Sequence, residues 1–438
     1  MESEIEHIPS DLLDTEAFKV QLDRIKQASE MAQEKLDYYS AHDDQVLLSI
    51  SVVERFLKKK HRICYGGQAI NAYLPTKYKF YDPDSSIPDY DFFTPSHQDD
   101  IEEITAALMK AGFEEISVRE GMHEGTLKIY VNFIPVADLT AIDPKLYRLL
   151  SKRASRIEEI TYLDANSLRM LMYLELSRPR GEVGRWQKVF ERLMLFNEFV
   201  SIKDCVPESV LLKNKLTLEQ VQLTIDYIIK EKRLFAGADL LSFYETAMIK
   251  KSRSTQWIVS HKKPILFLSS NAKDDAKHLL AEFQAIHEKP IKIKFYTYKG
   301  LDYLPGVFVL HESNQPLVII IQQAACHSYY TLPVKKKQSL RIATLDTLIT
   351  LYFSLGFINT SFFNMDSMEC LANHFVELSI KGRKMDNQFV FPFISISCSG
   401  HQTTLPSLIR AKVKRVTEKK KKIKNMMKRA TLSKRRLT

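Results

Sequence analysis

Apolar positions along the chain alternate between two rhythms. Residues 17–39 and 43–60 carry them at three- and four-residue intervals, which predicts two helices. A short apolar run, 61–65, stops at Gly66 and Gly67, and helical spacing resumes at Ala69, Ile70, Tyr73 and Leu74. Residues 100–112 read as a helix. Residues 113–119 and 126–133 read as strands joined by a turn with Gly121 and Gly125, the second strand running on into VADLTAI. Residues 167–176 and 184–199 read as helices separated by Pro179 and Gly181, and residues 217–250 are again helical. Then PILFLSS predicts a strand, KDDAKHLLAEFQAI a helix, and IKIKFYTY, GVFVLHE and PLVIIIQ strands. The mixture predicts an α+β fold.

This second block repeats the strand, helix, strands order of the first. ITYLDANSLRMLMYLEL, from Ile160, lies beside IATLDTLITLYFSL, from Ile342, each placed after a set of strands. A degenerate duplicate is the implied relation, because the second block has neither a glycine pair before its first helix nor a D-x-D strand.

Chemistry concentrates between Tyr65 and Thr94, YGGQAINAYLPTKYKFYDPDSSIPDYDFFT. Two strand residues separated by one share a face, so Asp89 and Asp91 are expected on one side, about 7 Å apart along the chain. Carboxylates so placed can share divalent cations, and magnesium commonly takes one or two carboxylates plus substrate phosphates. A helix opening directly after two glycines offers backbone N–H groups to a triphosphate. Asp138, between Val136, Ala137 and Leu139, needs a partner or a metal to offset its desolvation, and is the expected third ligand. Alone, a glycine pair marks a tight turn and a D-x-D marks loop polarity. The ordered set of strand, glycine pair, helix, D-x-D strand, helix, hairpin and Asp-bearing strand points to nucleotidyl transfer.

That set resembles the polymerase-β-like nucleotidyltransferases. Within them YGGQAIN, IPDYDFFTP and VADLT are similar to the poly(A) polymerase catalytic subunits of large cytoplasmic DNA viruses, as are RMLMYLELSRPRG and GRWQKVFERL. The likeness covers about residues 60–200, and the insert KYKFYDPDSSIP is longer than in the commonest superfamily members. The resemblance implies that Asp89 and Asp91 bind two Mg²⁺ or Mn²⁺ ions, and that Asp138 binds the one that activates an RNA 3′ hydroxyl. Gly66, Gly67 and Gln68 become nucleotide contacts, with ATP as substrate. Helical spacing puts Arg185, Lys188 and Arg192 at i, i+3 and i+7 as a basic stripe. Arg169 and Arg185 are the best single candidates for triphosphate or RNA backbone contacts, with Lys188 beside them, and Tyr173 and Trp186 are candidates for stacking a base. His327, Tyr329 and Tyr330, with the lysines at 335–337, form a further candidate RNA surface. Other template-independent transferases, uridylyl or oligoadenylate-forming, stay open, as does an RNA-binding subunit without activity.

The organisation that follows is a helical N-terminal region (1–60), a nucleotidyltransferase core (61–150), a helical nucleotide- or RNA-contacting segment (151–204), a C-terminal α/β domain (205–408) and a basic flexible tail (409–438). Charge sharpens the last boundary. The chain carries 63 Lys or Arg against 53 Asp or Glu. Residues 410–438 alone hold fourteen of the former and Glu418, leaving the rest slightly acidic. Such an arm is expected to bind phosphate backbones, with Lys419, Lys420, Lys421 and Lys422 at its centre, or to serve localisation or solubility.

Five scattered cysteines, none in C-x-x-C spacing, argue for a reducing compartment and against a disulfide framework or structural zinc. The acidic start lacks an apolar core and is expected to be no signal peptide. Apolar runs fall short of the roughly 20 residues a membrane span needs. The partners implied are ATP, an RNA 3′ end, and a second copy or a processivity subunit. The implied setting is the host cytoplasm or the virion.

Overall fold

The structure is a computed structural model and describes residues 15–81, 89–206, 216–251, 263–286, 292–302, 304–335, 338–358, 360–385, 390–392 and 394–435. Two helices, α1 (Glu16–Ala41) and α2 (Asp44–Lys60), open it. Asp43 caps α2 by accepting from the Gln45 and Val46 amides, and His61 ends it in the left-handed region. The buried stripe of Val46, Ile50, Val53 and Leu57 lays α2 on the first sheet.

That sheet contains β1 (Ile63–Tyr65), β2 (Tyr90–Thr94), β3 (Ile116–Glu120), β4 (Thr126–Val131), β5 (Ile134–Ala141), β6 (Ser155–Ile157) and β7 (Ile160–Tyr162). Their spatial order is β3-β4-β5-β2-β1-β7-β6. Helix α3 (Gly66–Tyr73) follows β1, α4 (His97–Lys110) follows β2, and α5 (Pro144–Ser151) follows β5. Helices α6 (Ala165–Leu176) and α7 (Trp186–Phe199) close the unit.

Two expectations change here. VADLTAI does not continue β4: Asn132 and Phe133, both at positive φ, turn the chain back and make β5 an antiparallel neighbour. The sheet also extends past residue 150, because β6 and β7 join its edge, with β7 parallel to β1. The segment from 151 is therefore not wholly helical.

The second sheet holds β8 (Leu234–Phe235), β9 (Ile265–Ser269), β10 (Ile293–Tyr298), β11 (Val307–Glu312), β12 (Gln315–Gln322), β13 (His327–Lys335), β14 (Gln338–Ala343) and β15 (Cys398–Ser399). Its order is β10-β11-β12-β9-β8-β14-β13-β15. Apart from β15 this is the first order, strand for strand, and the senses agree: β2 with β5 and β9 with β12 run parallel, while β1 with β2 and β8 with β9 run antiparallel. Helices α8 (Leu218–Lys230), α9 (Leu240–Lys250), α10 (Ala272–Ala285), α11 (Leu345–Gly356) and α12 (Met365–Lys384) surround it. One ion pair marks the repeat. Arg62 precedes β1 and holds buried Asp100 of α4 through two bonds of 2.7 and 2.8 Å. Arg233 precedes β8 and holds buried Asp275 of α10 through two of 2.7 Å.

The basic tail, expected as a flexible or conditionally helical arm, is helical here. It forms α13 (Leu405–Arg435), which lies on the β3–β4 hairpin. Arg415 donates to the Met122 carbonyl at 3.2 Å and pairs with Glu120 at 3.7 Å, as does Lys419 at 3.7 Å. The cysteines also depart from expectation, since Cys205–Cys370 and Cys326–Cys398 are bonded and Cys64 is free and buried. Pairs 165 and 72 residues apart leave no local signature in the sequence.

Candidate active site

The chain leaves β1 through Gly66, at φ +74°, where a Cβ would come within 2.5 Å of Asp91 Oδ2. Both the backbone turn and the close approach of the carboxylate require glycine here. A Cβ at Gly67 would meet Arg192 Nη1 and the Tyr81 hydroxyl, each at 2.7 Å. No side chain caps the start of α3. Gln68 buries its Oε1 without a partner. Asn71, one turn on, accepts from the Phe80 and Tyr81 amides and donates to the Tyr81 carbonyl. It thereby holds the Tyr81 ring over Gly67, and Arg192 donates to the Tyr81 hydroxyl at 2.8 Å. The insert's residues 82–88 lie outside the described residues.

Sheet register gathers the aspartates. Asp91 is opposite Asp138 in the parallel β2–β5 pair and opposite Tyr65 in the antiparallel β1–β2 pair. Asp89 lies one residue before β2 and is exposed, Asp91 is half-buried and Asp138 is buried. Burial, followed by repulsion from Asp89 and Asp138, pushes the Asp91 carboxyl up to about 7. Asp89 is exposed as a residue, but desolvation of its carboxyl beside the other aspartates, and then Asp138, push it upward also. Asp138 Oδ1 is buried with no partner, while Oδ2 takes Lys128 Nζ from the opposite position in β4. Burial pulls Lys128 down, but Asp138 and Asp89 outweigh it and raise its pKa.

This donor set fits divalent cations. It has three carboxylates, only one of them ion-paired among the described residues (to Lys128), an orphaned buried oxygen, and an oxygen-only composition suited to magnesium or manganese. The aspartates are spread rather than converged on one point, and Lys128 must leave Asp138 for that carboxylate to serve a cation through both oxygens.

The remaining candidates divide. Lys188 faces Asp89, and burial, then Arg192 and Arg185, lower its pKa. Arg185 is exposed, pairs with Glu175 and Glu182 at 3.5 and 3.4 Å, and acts on Asp91. Both border the cleft. Arg169 does not: it is fully buried, donating to Asn197 and Asn166 at 3.0 Å each and to the Val200 carbonyl. Its guanidinium ties α6 to α7 and is withdrawn from any triphosphate. Tyr173 is fully buried as well and presents no face to a base, whereas Trp186 is half-buried and donates Nε1 to the Glu175 carbonyl at 3.0 Å. Lys419 and Lys420 are exposed on α13, as are Lys421 and Lys422. Tyr330 donates to the Pro392 carbonyl, Tyr329 lies under Arg341, and residues 336–337 lie outside the described residues.

Arg192, on the basic stripe with Arg185 and Lys188, reaches the site through Tyr81. Lys128 enters it although its position in the sequence does not mark it as a contact. For Lys128 the signal is a lysine inside the apolar strand TLKIYV, legible only once residues 132–133 are seen as a hairpin turn. In the second unit the same register places Leu266 opposite Ile319, with Pro264 two residues before Leu266. These apolar residues occupy the positions of Asp91, Asp138 and Asp89, so that unit has no counterpart of the acidic site.

A glycine-opened helix beside paired aspartates on parallel neighbouring strands is the arrangement that the resemblance to polymerase-β-like nucleotidyltransferases implies. Residues 51–182 match the family described as "Poly(A) polymerase catalytic subunit", so the resemblance carried by the motifs stands. A protein of African swine fever virus bearing that name, with the qualifier "putative" in its printed form, is 26% identical over 162 residues, covering 36% of this chain and 34% of its own. One from Acanthamoeba polyphaga mimivirus is 24% identical over 299 residues, covering 62% and 50%. The chain thus spans a third to a half of the length of these curated relatives. The crystal structure of the Megavirus polyadenylate synthase shares the fold, with a TM-score of 0.70 and 17% identity over 92% of this chain and 84% of that one.

Proposed function

We propose that this chain is the catalytic subunit of a poly(A) polymerase, adding AMP from ATP to mRNA 3′ ends without a template. The observation that carries the reading is Asp138, buried with an orphaned Oδ1 directly beside Asp91, next to glycines that keep side chains out of the space in front. Asp89, Asp91 and Asp138 would hold two ions, Mg²⁺ or Mn²⁺. When bound, such ions supply charge neutralisation at the attacking and leaving oxygens of an in-line displacement.

The rest of the task falls to this chain's own groups. Gly66 and Gly67 let the phosphates approach the backbone at the start of α3. Lys188 and Arg185 flank them with positive charge, and Asn71 fixes the Phe80–Tyr81 segment that walls the cleft. Lys128 balances Asp138 in the cation-free protein. The relatives belong to large DNA viruses, which supports the host cytoplasm or the virion as the setting.

The test is extension of a short single-stranded RNA with each of the four ribonucleoside triphosphates in turn, with Asp138→Asn beside the parent. Long products with ATP alone, absent from the variant, are expected. Extension by another nucleotide would keep the chemistry and change the substrate. RNA binding with no extension by any nucleotide would leave an RNA-binding subunit.

A further inference from the structure

Far from the aspartates, Cys205, Cys370 and His374 bring one ligand atom each to within 4.8 Å of one another. Cys370 and His374 stand one turn apart on α12 and therefore share a face. Cys205 lies on the segment that leaves α7 toward the second unit, so the cluster fastens that segment to α12. His374 Nε2 donates to the Cys205 carbonyl at 3.0 Å, which sets the ring beside the cysteines; this bond must open for that nitrogen to take a cation. Its Nδ1 is 3.9 Å from Glu377 Oε2. At that separation Glu377 is not hydrogen-bonded to the ring, and a small rotation of the freed ring would let it take the far N–H, the contact that orients a metal-ligating histidine. The other bonded pair, Cys326 and Cys398, has no such third ligand among the described residues.

We propose that, when its two cysteines are reduced, this cluster is a binding site for a borderline-soft divalent cation, Zn²⁺ above all. The ligands are the Cys205 and Cys370 thiolates and the neutral His374 imidazole, with a fourth position for water. Thiolate and imidazole are the donors zinc prefers, whereas magnesium selects oxygen. Disulfide and metal are alternatives at one place, and each ties the linker to α12. A water-soluble phosphine effects the change. It gives two electrons to the disulfide and takes the oxygen of one water as phosphine oxide, and the two protons of that water go to the thiols. On binding zinc the thiols release both protons.

The experiment uses the full chain, reduced with such a phosphine and titrated with Zn²⁺ against a chromophoric chelator, then with Co²⁺. Thiolate-to-cobalt absorption separates this site from the oxygen-only aspartates. One Zn²⁺ per chain with the thiolate band is expected for the reduced protein, and the same for a Cys326→Ser, Cys398→Ser double variant. The oxidised protein and His374→Gln should lack both, and Glu377→Gln should bind about tenfold more weakly. His374→Gln keeps both cysteines, and its return to the disulfide on oxidation reports that the fold is intact. A reduced parent that takes up no thiolate-bound metal, or a His374→Gln protein that binds it as tightly as the parent, would overturn the proposal.

Discussion

At the scale of single residues, the cleft depends on charge left unbalanced and on side chains that are missing. Asp138→Asn keeps the volume but removes the charge that meets Lys128 and that a cation would need. Loss of several kcal/mol of transition-state charge stabilisation corresponds to a rate drop of about 10³-fold or more. Single-turnover extension should show it, while RNA affinity by filter binding stays within about threefold, because backbone contacts lie elsewhere. Gly66→Ala tests the missing side chain. The new methyl would sit 2.5 Å from Asp91 Oδ2 at a residue with φ +74°. Backbone strain of about 1–2 kcal/mol should lower the melting temperature, and displacement of Asp91 should abolish extension. An active Gly66→Ala enzyme would mean that Asp91 does not work from the position seen here. Much of this site is legible in the sequence, since glycine pair, aspartates and order are local features. Arg169 is not, for a physical reason: an arginine on a helix face shows neither its burial nor that Asn166, Asn197 and the Val200 carbonyl consume its donors.

Among the elements, those with strong periodicity match their sequence pattern within a few residues, and the departures fall at turns and ends. The β4–β5 connection has neither Gly nor Pro, and Asn132-Phe133 at positive φ is a rare hairpin solution that gives little signal. Strand β8 has two residues and is held by β9 and β14 rather than by its own pattern. For α13, composition announces charge, but docking depends on Glu120 and the Met122 carbonyl nearly three hundred residues away. Arg415 and Lys419 fasten the helix to the hairpin that carries Lys128, so this part of the basic segment does not trail free. Deleting residues 410–438 should weaken RNA binding and flatten its dependence on salt, by about 0.7 in the log–log slope for each phosphate the helix neutralises. An unchanged slope, measured from about 50 to 200 mM salt, would make α13 a structural or addressing element. Glu120→Lys should undock the helix and produce part of the same weakening without removing any basic residue.

Across the whole molecule, two sheets of one topology have diverged in charge: the first keeps its aspartates, and the second puts Pro264, Leu266 and Ile319 in their places. The repeated Arg–Asp pair persists in both because it fastens helix to sheet whatever the site contains. What joins the units is partly a backbone bond beside a buried histidine. The Ser328 amide at the start of β13 donates to the Ser177 carbonyl at the end of α6, at 2.9 Å, and His327 precedes it with Nδ1 buried and unpaired. Burial, with Arg178 nearby adding repulsion, pushes the His327 imidazole down to about 3. Its folded pKa therefore lies below the unfolded value near 6.5, and the unfolded chain binds the extra proton. The stability this group contributes is complete above about pH 6.5 and is lost as pH falls through the window toward 3, by about 1.4 kcal/mol per pH unit. His327→Gln cannot be protonated. Urea unfolding between about pH 7.5 and 4.5 should show the parent losing stability faster than this variant below about pH 6.5, with the two parallel above it. Parallel curves throughout would mean that His327 titrates alike in the folded and unfolded chains, and that the junction between the units does not depend on its being neutral.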